Sequence, residues 1–404
     1  MKILAWNIQW FTLSRVEGTS VGSFADVFMD ADKVFANRRY IVSTVREADP
    51  DVFVIVEARC TYSWTLGSLA TGDGPQALLL VLALLRDQLS SDWCLAPPLV
   101  INPSQLEPAY TETMGVFWRN DRLRFLGPFA WPTNQAGNAP SPTGPPVPWD
   151  APHAAQYPEP WNAAMPTTPA GDMYQAAFIR WIDGERRAVY FNQSQFRRPV
   201  LTAFAERDGA KRGIRLISFH LPPNANAQEA LSHLLDCQPG FWQPGNNQLT
   251  VLVGDFNLDL NGSVGDQQPW HLLVQNGFEQ ILPPQIQVPG RTFSIYSPTT
   301  YTQVNDATPN GYRRSACYDY GAVAYGPGAR PAQQYPAVVA ERVDGTPAAP
   351  PLPGFSVEMG RNLAWLRQIP HDGLRNALFR QRWNYGHIAR PDGTSDHLPV
   401  FMVV

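Results

Sequence analysis

The sequence TSDHLPV at residues 394–400 runs directly into FMVV at residues 401–404. The apolar tetrapeptide predicts a buried strand, so the adjacent acid and imidazole should lie at the mouth of that strand. There they can face a bound ligand, or they can have a purely structural role as hydrogen-bonding partners in a turn. Residues 3–6, with the sequence ILAW, predict a first buried strand that ends in the polar Asn7. We therefore expect both ends of the chain to converge on one site.

Composition limits the kinds of ligand that the protein can recruit. The 404 residues are 44% hydrophobic and 16% charged, with a formal net charge of -4 at pH 7. This balance is that of a soluble globular protein without a global basic field, so a phosphate-bearing substrate must be held by local charge or by a metal. The most apolar run, residues 77–85, is too short to span a bilayer and predicts a buried helix.

The first residues carry no signal-peptide pattern, because the chain enters a strand at once. We expect cytoplasmic residence by default and no stable membrane insertion. Export by a dedicated machine, as for a toxin, remains open.

Short apolar segments rich in β-branched residues alternate with helical patterns along the chain. Most of these segments are continuous apolar runs, which indicates strands buried on both faces. The predicted strands cover residues 3–6, 52–56, 115–118, 188–191, 214–219, 249–253, 321–324 and 399–404, and the predicted helices cover 31–48, 75–89, 227–238 and 269–276. The alternation predicts an α/β fold in which two sheets lie between helical layers.

Two proline-rich stretches interrupt this pattern. Residues 128–170 contain twelve prolines, and residues 327–355 contain seven more. Neither stretch shows a period, so both are predicted to be loops or insertions without a core of their own. Polar residues at strand ends occur on both sides of these stretches. We therefore predict one catalytic domain over residues 1–404, with insertions near 128–170 and 327–380.

Two buried strands end in residues that can bind a metal or move a proton. The second strand ends at Glu57, and a buried carboxylate is costly unless it is paired or ligates a cation. A salt bridge from Glu57 to Arg59 is the alternative. The strand over residues 214–219 ends at His220, which is either a structural histidine or part of an acid–base pair.

Three further strands carry polar side chains at one end. One delivers Asp255 and Asn257, which strand alternation is expected to point to the same side. Asp319 precedes another, and Asp396 and His397 precede the last. A carboxylate and a carboxamide placed together can orient a water molecule and hold a phosphoryl oxygen.

These donor types favour one class of chemistry. Carboxylate and carboxamide oxygens suit Mg²⁺, Mn²⁺ or Ca²⁺ better than zinc, which takes more nitrogen or sulfur ligands. Two histidines, each able to pair with an acid, supply an acid and a base near neutral pH. The sequence contains neither a serine nucleophile elbow nor a Walker-type phosphate loop. Metal-assisted hydrolysis of a phosphoester fits this inventory.

Eight short motifs, in order along the chain, resemble the endonuclease/exonuclease/phosphatase superfamily, and among its members most resemble deoxyribonuclease I. The resemblance implies a four-layered α/β sandwich with the site at one end of two packed sheets. The motifs are Trp6-Asn7-Ile8, Val56-Glu57-Ala58-Arg59, Tyr110-Thr111-Glu112, Arg197-Arg198-Pro199, Phe219-His220, Gly254-Asp255-Phe256-Asn257, Tyr318-Asp319 and Ser395-Asp396-His397-Leu398-Pro399.

The same resemblance implies a role for each polar residue of the motifs around the metal. Glu57 is implied as the principal ligand, with Asn7 beside it and Asp396 completing the polar cluster. The implied cofactor is Mg²⁺, with Mn²⁺ or Ca²⁺ as alternatives.

His220 and His397 are implied as the histidine pair around the scissile phosphate. Glu112 is expected to orient His220, and Asp319 is expected to orient His397. A carboxylate on one ring nitrogen fixes the tautomer and raises the basicity of the other nitrogen. Asp255 is implied to position the attacking water.

The substrate contacts follow from the resemblance in the same way. Asn257, Tyr110 and Arg197 are implied to contact the phosphate, since a guanidinium suits two oxygens at once. Arg59 matches the arginine that deoxyribonuclease I inserts into the minor groove, where it reads shape more than sequence. Pairing of Arg59 with Glu57 remains the alternative.

The implied function is that of a divalent-metal-dependent phosphodiesterase, an endonuclease that cleaves DNA with little sequence specificity. RNA is the alternative nucleic acid. A sphingomyelinase or another phosphoesterase without a nucleic acid substrate remains open, because its catalytic set on this scaffold is nearly the same. An inactive binding module is disfavoured, since none of the catalytic groups is missing. We expect a monomer, with an inhibitor or partner protein left open.

Overall fold

The fold is that of a computed structural model, which describes part of the chain. Two of the predicted site residues, Tyr110 and Asp396, lie outside the described residues, as does the predicted strand at 188–191. The described residues are 1–16, 38, 41–42, 44–46, 48–61, 70–98, 100–101, 111–130, 147–148, 197, 199–221, 227, 231, 243–262, 264–283, 285–287, 292–296, 299–303, 312–314, 316–332, 335–339 and 397–404.

The elements are numbered in chain order. The strands are β1 (Lys2–Phe11), β2 (Val52–Arg59), β3 (Trp93–Leu95), β4 (Glu112–Arg119), β5 (Leu123–Ala130), β6 (Val147–Pro148), β7 (Val200–Glu206), β8 (Gly213–His220), β9 (Gln248–Asp255), β10 (Glu279–Ile281), β11 (Gln285–Gln287), β12 (Ser294–Tyr296), β13 (Tyr301–Gln303), β14 (Tyr312–Arg314), β15 (Asp319–Tyr325), β16 (Tyr335–Val339) and β17 (Val400–Val403). The helices whose bounds lie within the described residues are α1 (Leu13–Val16), α2 (Asp73–Gln88) and α3 (Val264–Gln275).

Six strands form the first sheet, in the order β16-β17-β1-β2-β4-β3. Strand β1 runs parallel to β2 and antiparallel to β17, with Lys2 opposite Val403 and Ala5 opposite Val400. The two ends of the chain are therefore neighbours inside one sheet, as the apolar terminal strands predicted.

Seven strands form the second sheet, in the order β10-β15-β9-β8-β7-β5-β6. Strands β8 and β9 are parallel, and their paired residues end at His220 opposite Asp255. Strand β15 is antiparallel to β9 and begins with Asp319 opposite the same Asp255. Three predicted site residues are thus brought together by the register of three adjacent strands.

The two sheets pack face to face, and a helix covers each outer face. In β8, Ile214 and Leu216 face the core between the sheets, whereas Ile217 and Phe219 face the outer core with α3. This alternation has the period of two that a strand requires. Helix α2 packs on the outer face of the first sheet. The predicted α/β sandwich of two mixed sheets between helical layers is confirmed.

The outer core under α3 is built around Tyr320. The ring of Tyr320 lies 4.4 Å from that of Trp270 and 4.6 Å from that of Phe256, measured between ring centroids. Its hydroxyl accepts a hydrogen bond from Trp270 Nε1 (3.0 Å) and donates one to the Leu258 carbonyl (2.8 Å). These contacts fix β15 against β9, and β9 carries the site residue Asp255.

No helix among the described segments is long and apolar enough to cross a membrane.

The prediction of a loop over residues 327–355 is wrong at β16. This segment adds an edge strand to the first sheet, and its register shifts between Tyr335 and Val338, across Pro336. An edge strand tolerates proline because the missing N–H group faces away from the sheet. The proline content therefore hid a strand whose Val338 and Val339 pair with β17. Similarly, β5 reaches Ala130 and pairs with β6 inside the predicted 128–170 insertion.

The predicted helix at 75–89 corresponds to α2, and the predicted helix at 269–276 corresponds to the second half of α3. The other two predicted helices fall largely outside the described residues. Strands β5 and β7 were not predicted. Two alanines in the sequence VLTAFAE of β7 weaken its β-branched pattern.

The buried polar residues of the predicted site lie along one edge of the sandwich. His220 and Asp255 are the last residues of the parallel strands β8 and β9. Asn7 and Glu57 lie where the regular parallel pairing of β1 with β2 is interrupted, and not at the strand ends as expected, because β1 continues to Phe11 and β2 to Arg59. Strands β4, β15 and β17 run antiparallel to these pairs, so their first residues or the residues just before them lie at the same edge. The site is therefore a consequence of strand direction.

We predict that Gly254→Ala destabilises the fold by about 3 kcal/mol, because it adds both backbone strain and a clash. Gly254 has a φ of 133°, and a Cβ atom there would lie 2.1 Å from the Phe219 carbonyl oxygen. Urea unfolding measures the loss. The matched control is Gly277→Ala, at a φ of 85° with nothing within 4 Å of the added atom. The control should lose about 1 kcal/mol, and equal losses would contradict the close approach of β8 and β9.

Candidate active site

A hydrogen bond between two buried side chains joins the sheets at the site. Asn7, on β1 of the first sheet, donates from Nδ2 to Oδ2 of Asp255, on β9 of the second sheet, over 2.9 Å. Because the amide nitrogen faces Asp255, the amide oxygen is the Asn7 atom that could ligate a cation. Trp6, the preceding residue, donates its indole N–H to the carbonyl of His397 over 2.9 Å.

His220 is held from both ring nitrogens. Its Nδ1 lies 2.7 Å from Glu112 Oε2, and its Nε2 lies 2.7 Å from Nη1 of Arg197. A guanidinium can only donate, so in this arrangement Nε2 accepts and Nδ1 carries the proton that Glu112 accepts. Arg197 also contacts Glu112 directly, at 3.1 Å between Nη2 and Oε1.

The environment of Glu112 favours its charged form. Burial alone would raise the pKa of Glu112, but the neighbouring His220 and Arg197 groups outweigh it and lower that pKa. Glu112 is therefore an ionised acceptor that can fix the His220 tautomer, the orienting role that the resemblance implied.

His397 has a matching partner on the other side of the site. Its Nδ1 lies 2.8 Å from Asp319 Oδ2, and both side chains are buried. Burial raises the pKa of Asp319 to about 6, against the lowering effect of His397 and with a further contribution from the charge of Asp255. Thr299 Oγ1 accepts hydrogen bonds from the Tyr318 and Asp319 N–H groups, at 3.1 and 3.0 Å. Thr299 thereby fixes the start of β15 beside His397.

Asp255 lies between the two imidazoles. Its Oδ2 atom is 3.8 Å from His220 Nε2 and 3.7 Å from His397 Nε2. One oxygen thus faces the two ring nitrogens that are not bound to Glu112 or Asp319. Among the described residues, Asp255, Asp319 and His397 also form an acidic and imidazole cluster whose ligand atoms lie within 4.8 Å of one another, a spacing suited to a metal ion.

Glu57 is a further candidate for binding a cation. It is 8% exposed, it has a φ of 65°, and its Oε1 accepts the Trp10 N–H over 3.3 Å. Its Oε2 lies 3.8 Å from His220 Nε2. Burial raises the pKa of Glu57, His220 opposes this and Glu112 adds to it. A bound cation would offset the cost of this buried charge, and the oxygen donors of Glu57 and Asn7 fit Mg²⁺.

Asn257 lies beside Asp255 for a different reason from strand alternation, so that expectation was wrong. Strand β9 ends at Asp255, and Asn257 has a left-handed φ of 49°. The Asn257 N–H donates to Asp255 Oδ1 over 2.9 Å, which is a local turn, and its Nδ2 donates to the Leu221 carbonyl over 2.7 Å. A turn-forming asparagine therefore replaces the extended geometry that was predicted.

Arg59 stacks on an aromatic side chain. Its guanidinium carbon lies 5.1 Å from the centroid of the Trp10 ring. Trp10, Trp6 and Thr299 are three residues of the site that sequence reasoning did not assign a role. Trp6 belongs to the first motif, Trp10 lies two residues beyond the end of that motif, and Thr299 lies in no motif.

No protein-family model matches the chain, and no curated protein matches it in sequence. Solved structures do match it over its whole length. An endonuclease/exonuclease/phosphatase protein from Beutenbergia cavernae is 15% identical, with 100% of this chain and 70% of that chain covered and a TM-score of 0.43. TDP2 from D. rerio, in complex with a single-strand DNA product, is 11% identical, with coverage of 100% and 97% and a TM-score of 0.42.

A mannosyl-6-phosphatase from Bacteroides thetaiotaomicron also matches, at 12% identity, coverage of 100% of this chain and 98% of that chain, and a TM-score of 0.42. Likenesses at this level leave the substrate open. Several of the solved structures that match the chain are named as endonuclease/exonuclease/phosphatase family proteins.

Proposed function

We propose that the chain is a divalent-metal-dependent phosphodiesterase that hydrolyses DNA with little sequence selectivity. The observation that supports this most is the arrangement around Asp255 Oδ2, which two imidazole Nε2 atoms flank at 3.8 and 3.7 Å. Each imidazole has a carboxylate on its Nδ1 atom. Two oriented imidazoles beside a carboxylate suit the transfer of protons to and from a phosphodiester.

Asp255 has the geometry to position the attacking water. Its Oδ1 is already occupied by the Asn257 N–H and its Oδ2 by the Asn7 amide, so the carboxylate cannot rotate. A water that donates to this fixed carboxylate would approach the phosphorus from one direction. Restricting the approach in this way is a large part of what a hydrolase contributes.

The two histidines have different surroundings and therefore different roles. Arg197 donates to His220 Nε2, so a phosphate that takes up the Arg197 guanidinium would leave Nε2 to bind a proton and donate it to the same phosphate. His397 Nε2 faces Asp255, with Asp319 on the opposite ring nitrogen. We assign His220 to the phosphoryl oxygens and His397 to the proton that the attacking or leaving oxygen exchanges.

Mg²⁺ is the proposed cofactor, held by Glu57 and Asn7, with Asp396 as a further ligand. When bound, the ion would neutralise charge on the phosphoryl oxygens. Mn²⁺ or Ca²⁺ has the same preference for oxygen donors.

DNA is favoured as the substrate by the cationic groups near Glu57. Arg59 follows Glu57 on β2, and Arg197, three residues before β7, lies beside His220. With a net charge of -4, the protein would gain its affinity from these local groups and the metal. Contacts of this kind are made to the backbone and read little sequence.

We predict that the purified protein nicks supercoiled plasmid with Mg²⁺ or Mn²⁺ and that EDTA abolishes the nicking. His220→Ala and His397→Ala should each reduce the rate by about 100- to 10,000-fold, because each removes a proton-transfer group. The matched control is His271→Ala on the exposed side of α3, which should retain full activity. Intact plasmid together with cleaved sphingomyelin or a cleaved phosphomonoester would overturn the DNA assignment, and intact phosphoesters of every kind would favour a binding module.

The orienting carboxylates provide a separate prediction. Glu112→Gln and Asp319→Asn should each lower kcat by about 10- to 100-fold, because an amide can present the wrong donor or acceptor to Nδ1. KM should change little. Asp121→Asn, at an exposed ion pair with Arg119, is the control and should have no effect. Wild-type kcat in both variants would contradict the orienting role.

We predict that Glu57→Gln removes the stabilisation by Mg²⁺ and leaves the metal-free protein at least as stable as the wild type. A neutral amide removes the cost of a buried charge. In the wild type, metal at 100-fold above its Kd should add about 2.7 kcal/mol to the free energy of unfolding. Thermal unfolding in EDTA and in Mg²⁺ measures both effects.

The control for this experiment is Glu279→Gln, which breaks a surface ion pair with Arg330. Its stabilisation by Mg²⁺ should equal that of the wild type. Loss of stability of Glu57→Gln in EDTA would contradict the assignment of Glu57 as a ligand and favour a structural ion pair.

A further inference from the structure

An exposed tryptophan lies directly beside the proposed metal ligand. Within the described ranges, three large apolar side chains are exposed: Trp10 at 39%, Val274 at 52% and Phe293 at 57%. Of these three, Trp10 is hydrogen-bonded to a site residue, because its backbone N–H group donates to Glu57 Oε1 over 3.3 Å. The proposed mechanism assigns no role to its indole ring.

The backbone is irregular at this point in both paired strands. The register of β1 and β2 shifts between Asn7 and Phe11, and both Trp10 and Glu57 have left-handed φ values, of 50° and 65°. Left-handed conformations are unfavourable for residues other than glycine, and they persist where the surrounding structure enforces them. Ile8 and Phe11, on either side of Trp10, are buried. The bulge therefore turns one aromatic side chain out of the sheet at the edge of the site.

The Arg59 guanidinium group packs against the indole ring of Trp10. The Arg59 guanidinium lies 5.1 Å from the ring centroid, within the range of a cation–π contact. Arg59 is itself placed by its pairing opposite Glu112 in β2 and β4. The ring is thus held in a defined orientation, with a positive charge beside it that can attract a phosphate.

We propose that Trp10, backed by Arg59, is a stacking platform for the base of a nucleotide adjacent to the scissile phosphate, so that the enzyme prefers single-stranded DNA or an unpaired strand end. This inference rests on the proposed phosphodiesterase function and adds its substrate class. In a continuous duplex the faces of the bases are hidden, whereas an unpaired base offers its face to an aromatic ring. Such stacking accepts every base, which agrees with weak sequence selectivity.

The Arg59 contact favours a nucleotide over a choline lipid headgroup. A quaternary ammonium bound at an aromatic ring would meet the positive charge of Arg59 at close range, which is repulsive. A neutral base with an anionic phosphate matches both the ring and the guanidinium. A single-stranded oligonucleotide is therefore the ligand that the pair fits best.

The test compares oligonucleotides that differ only in the presence of a base. The substrates are a single-stranded DNA oligomer, the same oligomer with tetrahydrofuran abasic units around one phosphodiester, and the duplex. Trp10→Ala should raise KM for the normal single strand about tenfold and leave kcat nearly unchanged. On the abasic oligomer, wild type and Trp10→Ala should be equal. Trp10→Phe should restore most of the affinity, because it keeps a ring.

Two controls separate stacking from a structural role. Trp10→Leu keeps apolar bulk without an aromatic face and should behave as Trp10→Ala does, so it serves where the alanine variant folds poorly. Phe293→Ala, at an exposed ring that is not part of the site, should match the wild type on every substrate. Equal losses of Trp10→Ala on normal and abasic oligomers, a large fall in kcat, or a loss confined to sphingomyelin vesicles would each overturn the proposal.

A binding measurement distinguishes failure of the stacking platform from failure of the proposed hydrolase function. Fluorescence anisotropy with the labelled single strand, in EDTA, measures affinity without hydrolysis. Tighter binding by wild type than by Trp10→Ala, with no cleavage of any phosphodiester, would retain the platform and refute the hydrolase. Cleavage without any dependence on the base would retain the hydrolase and refute the platform.

Discussion

Four carboxylates buried at one edge of a β-sandwich are the constraint on which the site depends. They are Glu57, Glu112, Asp255 and Asp319. A buried carboxylate that lacks partners is strongly unfavourable, so the residues around these four are selected to supply charge and hydrogen bonds. Both histidines, Arg197, Asn7 and the Asn257 N–H group each contact at least one of them.

The four carboxylates do not all have equally strong partners, and this difference suits them to different roles. Glu112 has an imidazole and a guanidinium within hydrogen-bonding distance, and its pKa is lowered. Glu57 contacts a backbone N–H at 3.3 Å and an imidazole at 3.8 Å, and its pKa is raised by burial. The surroundings therefore shift the pKa values of these two carboxyl groups in opposite directions. The first is suited to hold a histidine, and the second to receive a cation.

The fold, and the set of polar residues that the two sheets bring to one edge, could be predicted from the sequence because buried strands leave a strong signal. Continuous apolar runs marked β1, β2, β4, β8, β9 and β17, and a polar residue at each strand end marked the edge where the site lies. Strand β16 was missed because its proline is tolerated only at a sheet edge, and edge position is a tertiary property. Strands β5 and β7 carry less β-branched sequence and are defined by pairing with their neighbours.

Local irregularities of the backbone were beyond the sequence pattern. The left-handed turn at Asn257 and the bulge at Trp10 each move a side chain from the direction that strand alternation predicts. Both arise from hydrogen bonds to a site carboxylate, Asp255 in one case and Glu57 in the other. Such positions are set by the site itself, so a periodic pattern contains no record of them.

The pairing of β1 with β17 has a consequence for local stability. The bond from the Trp6 indole to the His397 carbonyl spans 391 residues of sequence, and the strands that it fastens lie side by side. Long-range pairing of this kind forms late, because a large loop must close first. Pairing of β17 with β1 therefore brings His397 beside Asn7 from a remote part of the sequence. Local opening of β17 would withdraw His397 from this edge, whereas the pairing of β8 with β9 would still hold His220 opposite Asp255.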